Sequence, residues 1–332
     1  MSNSTASSES LLIDTIKYDL LASIGVISLV MGTIGNIFNI LLFTRGSIWR
    51  QSPCIPYLLG SSISSLFLLY TNTLTRMLLG FYITPLFYDQ ILCKTAVYIS
   101  TISNVIATWF MIGASFDRYI SSSTVVTTRL ITNMRTTRRV MAVIVFFVSI
   151  IYIEVLVCYE SGNTVTIAPC ANKNTMCATV DACLGFIFQL ISPLLLFIFF
   201  GLGTFFNIRR SAKLRHIHVS AVVPSALKTQ RKAAIANERA ILRVVFVQVI
   251  TFCICTLPNI ATKIYQLIPV TYVKSDVRLS IENLVINMCT LLYTLDNAFS
   301  FYMYTLASGH FRKELKRLIY SYLRRHRIMP YN

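Results

Sequence analysis

The sequence predicts an all-α membrane protein, a bundle of seven transmembrane helices followed by a short amphipathic helix on the cytoplasmic side. Three observations predict it. Of 332 residues, 55% are hydrophobic and only 13% charged, about half the charge of a soluble domain, and mean hydropathy is +0.64. Seven stretches are apolar enough, over the roughly 20 residues that a hydrocarbon core of about 30 Å requires, to cross a bilayer. Lysine and arginine fall on alternate loops. This composition excludes a water-soluble enzyme and a disordered chain. A net charge of +17 can mark nucleic-acid binding, but in a membrane chain it marks loops that face anionic lipid, so lipid and not nucleic acid is the expected partner.

The spans run near Leu20–Phe43, Cys54–Leu79, Ile91–Ser115, Val140–Cys158, Cys183–Asn207, Ala240–Ile268 and Leu279–Leu306. They define a polar extracellular tail over residues 1–19, a seven-helix domain over 20–306, and an amphipathic helix with a basic cytoplasmic tail over 307–332. No cleavable signal peptide is evident. With the N-terminus outside, the cytoplasmic segments 44–52, 116–139, 208–243 and 307–332 carry 2, 5, 9 and 7 Lys+Arg, 23 of the 30. That asymmetry is the positive-inside signature, and it places the sequon at Asn3 in the lumen, where glycosylation occurs. Beyond the last span, Phe311, Leu315, Leu318, Ile319, Tyr322 and Leu323 share one helical face and basic residues occupy the other, as in a helix lying in the membrane interface. Nine cysteines include no CxxC pair and no cluster with zinc spacing, so no metal site and no cofactor is expected.

Ionisable residues inside a span cost at least about 2.5–3.5 kcal/mol and ask for a partner or a task. The sharpest case is Asp117-Arg118-Tyr119 at the inner end of span three. Cys93 lies 25 residues before Arg118, about 37 Å away along a helix, so one residue meets an oxidising compartment and the other the cytosol. The outer half of the bundle mixes Arg76, Tyr98, Ser100, Asn104, Glu154, Asn259, Lys263, Glu282 and Thr290. Arg76 and Lys263 can receive an anionic or carbonyl-rich ligand, and Glu154 and Glu282 a cationic one. The bland alternative for each is an internal ion pair or an interface snorkel.

The ordered set Gly35-Asn36, Cys93 to Asp117-Arg118-Tyr119, Pro193, Phe252-x-x-Cys255-Thr256-Leu257-Pro258, Tyr304 and Phe311-Arg312 resembles the rhodopsin-like (class A) G-protein-coupled receptors along essentially the whole chain. Its flavour is closest to invertebrate peptide receptors of the FMRFamide-receptor type. The resemblance implies a multi-pass plasma-membrane receptor, not an enzyme, that binds an extracellular ligand and activates a heterotrimeric G protein through outward movement of span six. It implies an activation switch of Asp117, Arg118, Tyr119, Glu238, Phe252, Pro258 and Tyr304, with Asp117 and Glu238 holding Arg118 at rest; Glu238 also reads as a solvated loop acid, and Phe252 as ordinary core or lipid-facing packing. It implies a disulfide from Cys93 to the second outer loop, with Cys170 favoured and Cys177 the alternative; a local Cys170–Cys177 bond is also open. The other cysteines read as apolar span residues.

The departures narrow the function. Ser65 stands where the family has its sodium-binding Asp, Thr256 where it has Trp, and Ser300-Phe301 where it has Asn-Pro. Ser100 occupies the place of the amine receptors' Asp, and span seven holds no lysine for a retinal Schiff base. The acidic outer face favours a cationic or amidated peptide. The alternative class is a polytopic transporter or channel; a transporter would show repeats between halves, and none is visible in the sequence.

Overall fold

The computed structural model describes residues 2–44, 53–84, 89–123, 125, 133–163, 168–218, 246–247, 250–268, 275–307, 311–313, 315–318 and 320. Glu238 and the side chains of Asn3 and Tyr304 lie outside the described part of the structure.

Helix α1 (Ser2–Thr44) begins well before the predicted span. Polarity alone made residues 1–19 read as a tail. Neither glycine nor proline occurs before Gly25, so nothing breaks the helix, and Lys17 ties to Asp14 one turn away at 2.8 Å. Ile27, Val30, Ile34, Ile37 and Leu41 are exposed at helical spacing, a stripe suited to lipid, whereas Asn36 and Asn39 are fully buried. Helix α2 has three parts, α-helical over Ile55–Leu68, π-helical over Leu69–Thr73, and α-helical again over Leu74–Gly80. Its buried face carries Ser61, Ser62 and Ser65. Gly80 permits the close approach of α1, since a Cβ there would stand 2.8 Å from the Ala22 Cα.

Helix α3 (Gln90–Ser121) is capped by Asp89, whose carboxylate accepts from the Ile91 and Leu92 amides. It lies at the centre of the bundle, against α2 and the two helices that follow it in the chain. Helix α4 (Met134–Ile151) is capped by Asn133 and resumes as a short turn at Glu154–Cys158. It starts earlier than predicted because its first turns carry the exposed Arg135, Arg138 and Arg139, which a count of apolar residues leaves out.

An all-α reading missed one element. Strands β1 (Tyr159–Asn163) and β2 (Ala168–Asn172) pair antiparallel, with Ser161 opposite Cys170. Cys170 is bonded to Cys93 at the start of α3, and Gln90 Oε1 accepts from the Ser161 amide and hydroxyl at 2.7 and 2.9 Å. The hairpin is thereby fastened across one end of the bundle. Cys177 is bonded to Cys158, so Cys158 is not a simple apolar span residue, and Cys177 is the partner of neither Cys93 nor Cys170.

Helix α5 runs α-helical over Thr175–Leu184, π-helical over Gly185–Ile191, and α-helical over Ser192–His218. The wide segment ends just before Pro193, whose ring crowds the carbonyl four residues back. Helix α6 spans 250–266 within the described residues, and α7 is Asp276–Ala307. Residues 311–313 and 315–318 are helical; Phe311 packs on Phe43 and Phe301, Leu318 is buried, and Arg312, Lys313, Lys316 and Arg317 are exposed. This is the expected amphipathic turn. Five described helices are long and apolar enough to cross a membrane; α2 is diluted by its serines, and α6 is described over too short a stretch to count.

Candidate functional site

The hairpin end of the bundle encloses a cavity of about 1410 Å³ walled by α1, α2, α3, α5, α6, α7 and the hairpin. Of the eight ligand candidates read from the sequence, Arg76, Ser100, Asn104, Asn259, Lys263, Glu282 and Thr290 line it. Glu154 does not; its two carboxylate oxygens are buried without a hydrogen-bond partner among the described residues. Tyr98 turns away as well and donates to the Ser149 carbonyl of α4 at 2.9 Å.

Most of the charge on this wall is already matched. Lys263 Nζ lies 3.0 Å from Asp181 Oδ2, which also accepts from the Tyr159 hydroxyl at 3.4 Å. Glu282 accepts from Arg278 at 3.0 Å and from the Tyr265 hydroxyl at 2.7 Å. Glu282 is therefore already engaged and Glu154 stands off the wall, while Glu160 and Asp276 remain on it as exposed carboxylates. Arg76 differs from its neighbours: its Nε donates to Asn72 Oδ1 at 3.0 Å and its Nη1 to Asn287 Oδ1 at 2.9 Å. Asn72 in turn donates to the Ser100 hydroxyl at 3.1 Å. Thr290 donates to Asn259 Oδ1 at 3.3 Å, joining α7 to α6.

Starting at the cavity wall, side-chain hydrogen bonds cross the bundle in one continuous chain. Ser65 of α2 donates to Asn297 Oδ1 at 3.0 Å, and Asn297 Nδ2 donates to Asn104 Oδ1 at 2.9 Å. Asn104 Nδ2 donates to the Tyr293 hydroxyl, which donates to Gln189 Oε1 at 3.0 Å. Gln189 Nε2 donates to the Tyr152 hydroxyl at 3.2 Å, and that hydroxyl reaches the Leu184 carbonyl at 3.4 Å. Asn36 of α1 joins by donating to the Asn297 carbonyl at 3.2 Å. Beside Asn297 is a polar cavity of about 10 Å³, bordered by Ser61, Ser65, Asp296, Asn297, Ser300 and the Phe252 ring, with room for about one water. Of this chain the sequence singles out Asn104 as a ligand candidate and Asn36 and Ser65 through the family pattern; the signal available for Gln189, Tyr293 and Asn297 was a polar residue inside an apolar span.

At the opposite end, Asp117 is 1% exposed, and its Oδ2 lies 3.7 Å from Arg118 Nη2. Arg118 also contacts the Cys54 thiol at the base of α2. Tyr119 packs on Phe199 and Phe200, and its carbonyl accepts from Asn207 at 3.3 Å. Phe252 is a core residue and not lipid-facing, buried among Phe43, Met111, Ile112 and Phe197, with its ring edge-on to Phe197 at 5.7 Å. Pro258 lies within α6, one position before Asn259 on the cavity wall.

The family model described as 7 transmembrane receptor (rhodopsin family) matches residues 35–300. No curated protein matches the chain.

The crossing chain makes unequal demands on two tyrosines. Tyr293→Phe strands an amide donor on Asn104 and a carbonyl on Gln189, at a cost of about 1–3 kcal/mol. Tyr302→Phe strands nothing, because the Met31 carbonyl that its hydroxyl meets at 3.1 Å lies in the middle of α1 and keeps its helical donor. Thermal melting of the purified protein in detergent is expected to fall for the first variant and to change little for the second; equal shifts would show that the chain does not hold the helices.

Proposed function

The chain belongs to the rhodopsin family of seven-transmembrane receptors, and from that premise we propose that it is a plasma-membrane receptor for an extracellular peptide, with its N-terminus outside and Asn3 glycosylated. Family members are multi-pass membrane proteins that bind extracellular ligands and signal through heterotrimeric G proteins; they are not enzymes. A receptor match over residues 35–300 leaves the transporter or channel alternative without support.

The observation that carries the peptide reading is the cavity. Drug-sized ligands fill clefts of about 300–1,000 Å³, and this one measures about 1410 Å³ with a hairpin fastened at its mouth. Its wall is polar over many separate groups, which suits the repeated amides of a peptide. Ser100, where an amine receptor carries its counter-ion, is already engaged by Asn72.

In the mechanism, ligand contacts on the α6 and α7 walls bias a two-state bundle. Pro258 lacks an amide hydrogen and lets α6 bend. The Phe252 ring shifts within its aromatic cluster, and Arg118 is released from Asp117 and Glu238 to meet the G protein, with Tyr119 and Tyr304 repacking around it. Two experiments test this. A G-protein activation assay in cells across a peptide library is expected to yield agonists; silence across the library with a response to a small metabolite would refute a peptide ligand. Glu238→Ala is expected to raise basal signalling, and unchanged basal activity at equal surface expression would remove Glu238 from the resting lock.

A further inference from the structure

We propose that Arg76 anchors a carboxylate of the ligand at the side of the cavity formed by α2 and α7. The proposal rests on the reading of this cavity as the ligand site and specifies its chemistry.

The charges around the cavity set Arg76 apart. Lys17 has Asp14 at 2.8 Å, Lys263 has Asp181 at 3.0 Å, and Glu282 is taken by Arg278 at 3.0 Å. Lys173, at the rim, is exposed and solvated by water. Arg76 has no carboxylate partner among the described residues; amide oxygens of Asn72 and Asn287 hold it. Both amides are themselves oriented. Asn72 spends its NH₂ on the Ser100 hydroxyl at 3.1 Å, and Asn287 spends its NH₂ on the Asn283 carbonyl at 2.8 Å. Each is thereby fixed with its oxygen toward the guanidinium, which positions the cation without neutralising it. Tyr159, the group that acts on Arg76 electrostatically, cannot serve as counter-ion: burial pushes its hydroxyl well above the usual phenol range, so it stays neutral.

A guanidinium offers five N–H groups in a planar fork suited to two coplanar oxygens. The two asparagines use Nε and one hydrogen of Nη1, which leaves three donors on a side chain that lines the cavity. Arg76 is half-buried, a charge partly withdrawn from water without an opposite charge is costly, and a ligand carboxylate lowers that cost on binding. A cationic ligand gains nothing comparable, because Asp14, Asp181 and Glu282 already have cations and the other two carboxylates on the wall, Glu160 and Asp276, are exposed to water.

The full-length receptor in cells is assayed with a peptide library in which each active peptide is remade with its C-terminal and side-chain carboxylates amidated one at a time. Neutralising one carboxylate is expected to weaken activation by about 10- to 100-fold on the wild type, and its position tells whether the C-terminus or a side chain is read. On Arg76→Gln the acid and the amide should be equipotent, and Arg76→Lys should keep part of the difference. Amidated forms as potent as the acids on the wild type would overturn the proposal. Silence across the library sinks the peptide reading instead, and the carboxylate claim is then read on purified receptor in nanodiscs. N-acetylphenylalanine is expected to raise the melting temperature, N-acetylphenylalaninamide is not, and Arg76→Gln should abolish the difference; no shift, or equal shifts, would overturn it. Without any probe, Arg76→Gln should melt no lower than the wild type, whereas a lower melting temperature with an unaltered acid–amide difference would make Arg76 a mere clamp between α2 and α7 and overturn it too.

Discussion

Polar side chains buried in a membrane bundle have no water to turn to, so they must satisfy one another. Here Asn297 is the point on which that requirement converges. Its side chain links α2 to α3 through Ser65 and Asn104, and its carbonyl receives Asn36 from α1. Tyr293 and Gln189 extend the same chain to α5, and Tyr152 brings in α4. Interhelical hydrogen bonds in membranes are each worth about 0.6–2 kcal/mol. Their value lies as much in specificity: with apolar side chains equally content in lipid, a rung of matched donors and acceptors fixes which faces of the helices meet. The apolar stripe of α1 and the exposed phenylalanines of α4, Phe146 and Phe147, point outward for the same reason.

The chain also lies between two places of different character. Asn104, Gln189 and Tyr293 border the large cavity, while Ser65 and Asn297 border the small one whose wall includes Phe252. One hydrogen bond, from Asn297 to Asn104, separates them. Asn104 thus stands one hydrogen bond away from a group that shares the small cavity with Phe252. Coupling of this kind needs an element with two discrete arrangements, and a bundle held by directional bonds meets that need better than one held by continuous apolar packing.

Much of this architecture was legible in the sequence, because hydropathy and loop charge are local quantities. The seven helices follow from them directly. The start of α1 was not legible, since a polar stretch without a helix breaker reads as a tail until its Asp14–Lys17 pair and its contact with Ser280 are known. The hairpin was missed because Tyr159–Asn163 and Ala168–Asn172 show no apolar alternation; their pairing depends on the Cys93–Cys170 bond and on Gln90. The candidate residues of the cavity were found by composition, yet the pairing of Lys263 with Asp181 or of Glu282 with Arg278 depends on helix rotation, which composition does not contain. Ser65 illustrates the same limit from the other side: it read as a loss relative to the family's Asp, and the structure shows it bonded to Asn297, with Asp296 beside the same small cavity.

The central claim is that the buried polar rungs act together to hold the helices in register. It is tested most directly by a double-mutant cycle on Asn104→Ala and Asn297→Ala, read as the unfolding free energy of the purified receptor in bicelles. The double variant is expected to lose less than the two single variants combined, by about 0.5–2 kcal/mol, because either substitution alone already breaks the shared bond. Strict additivity of the two losses would contradict it.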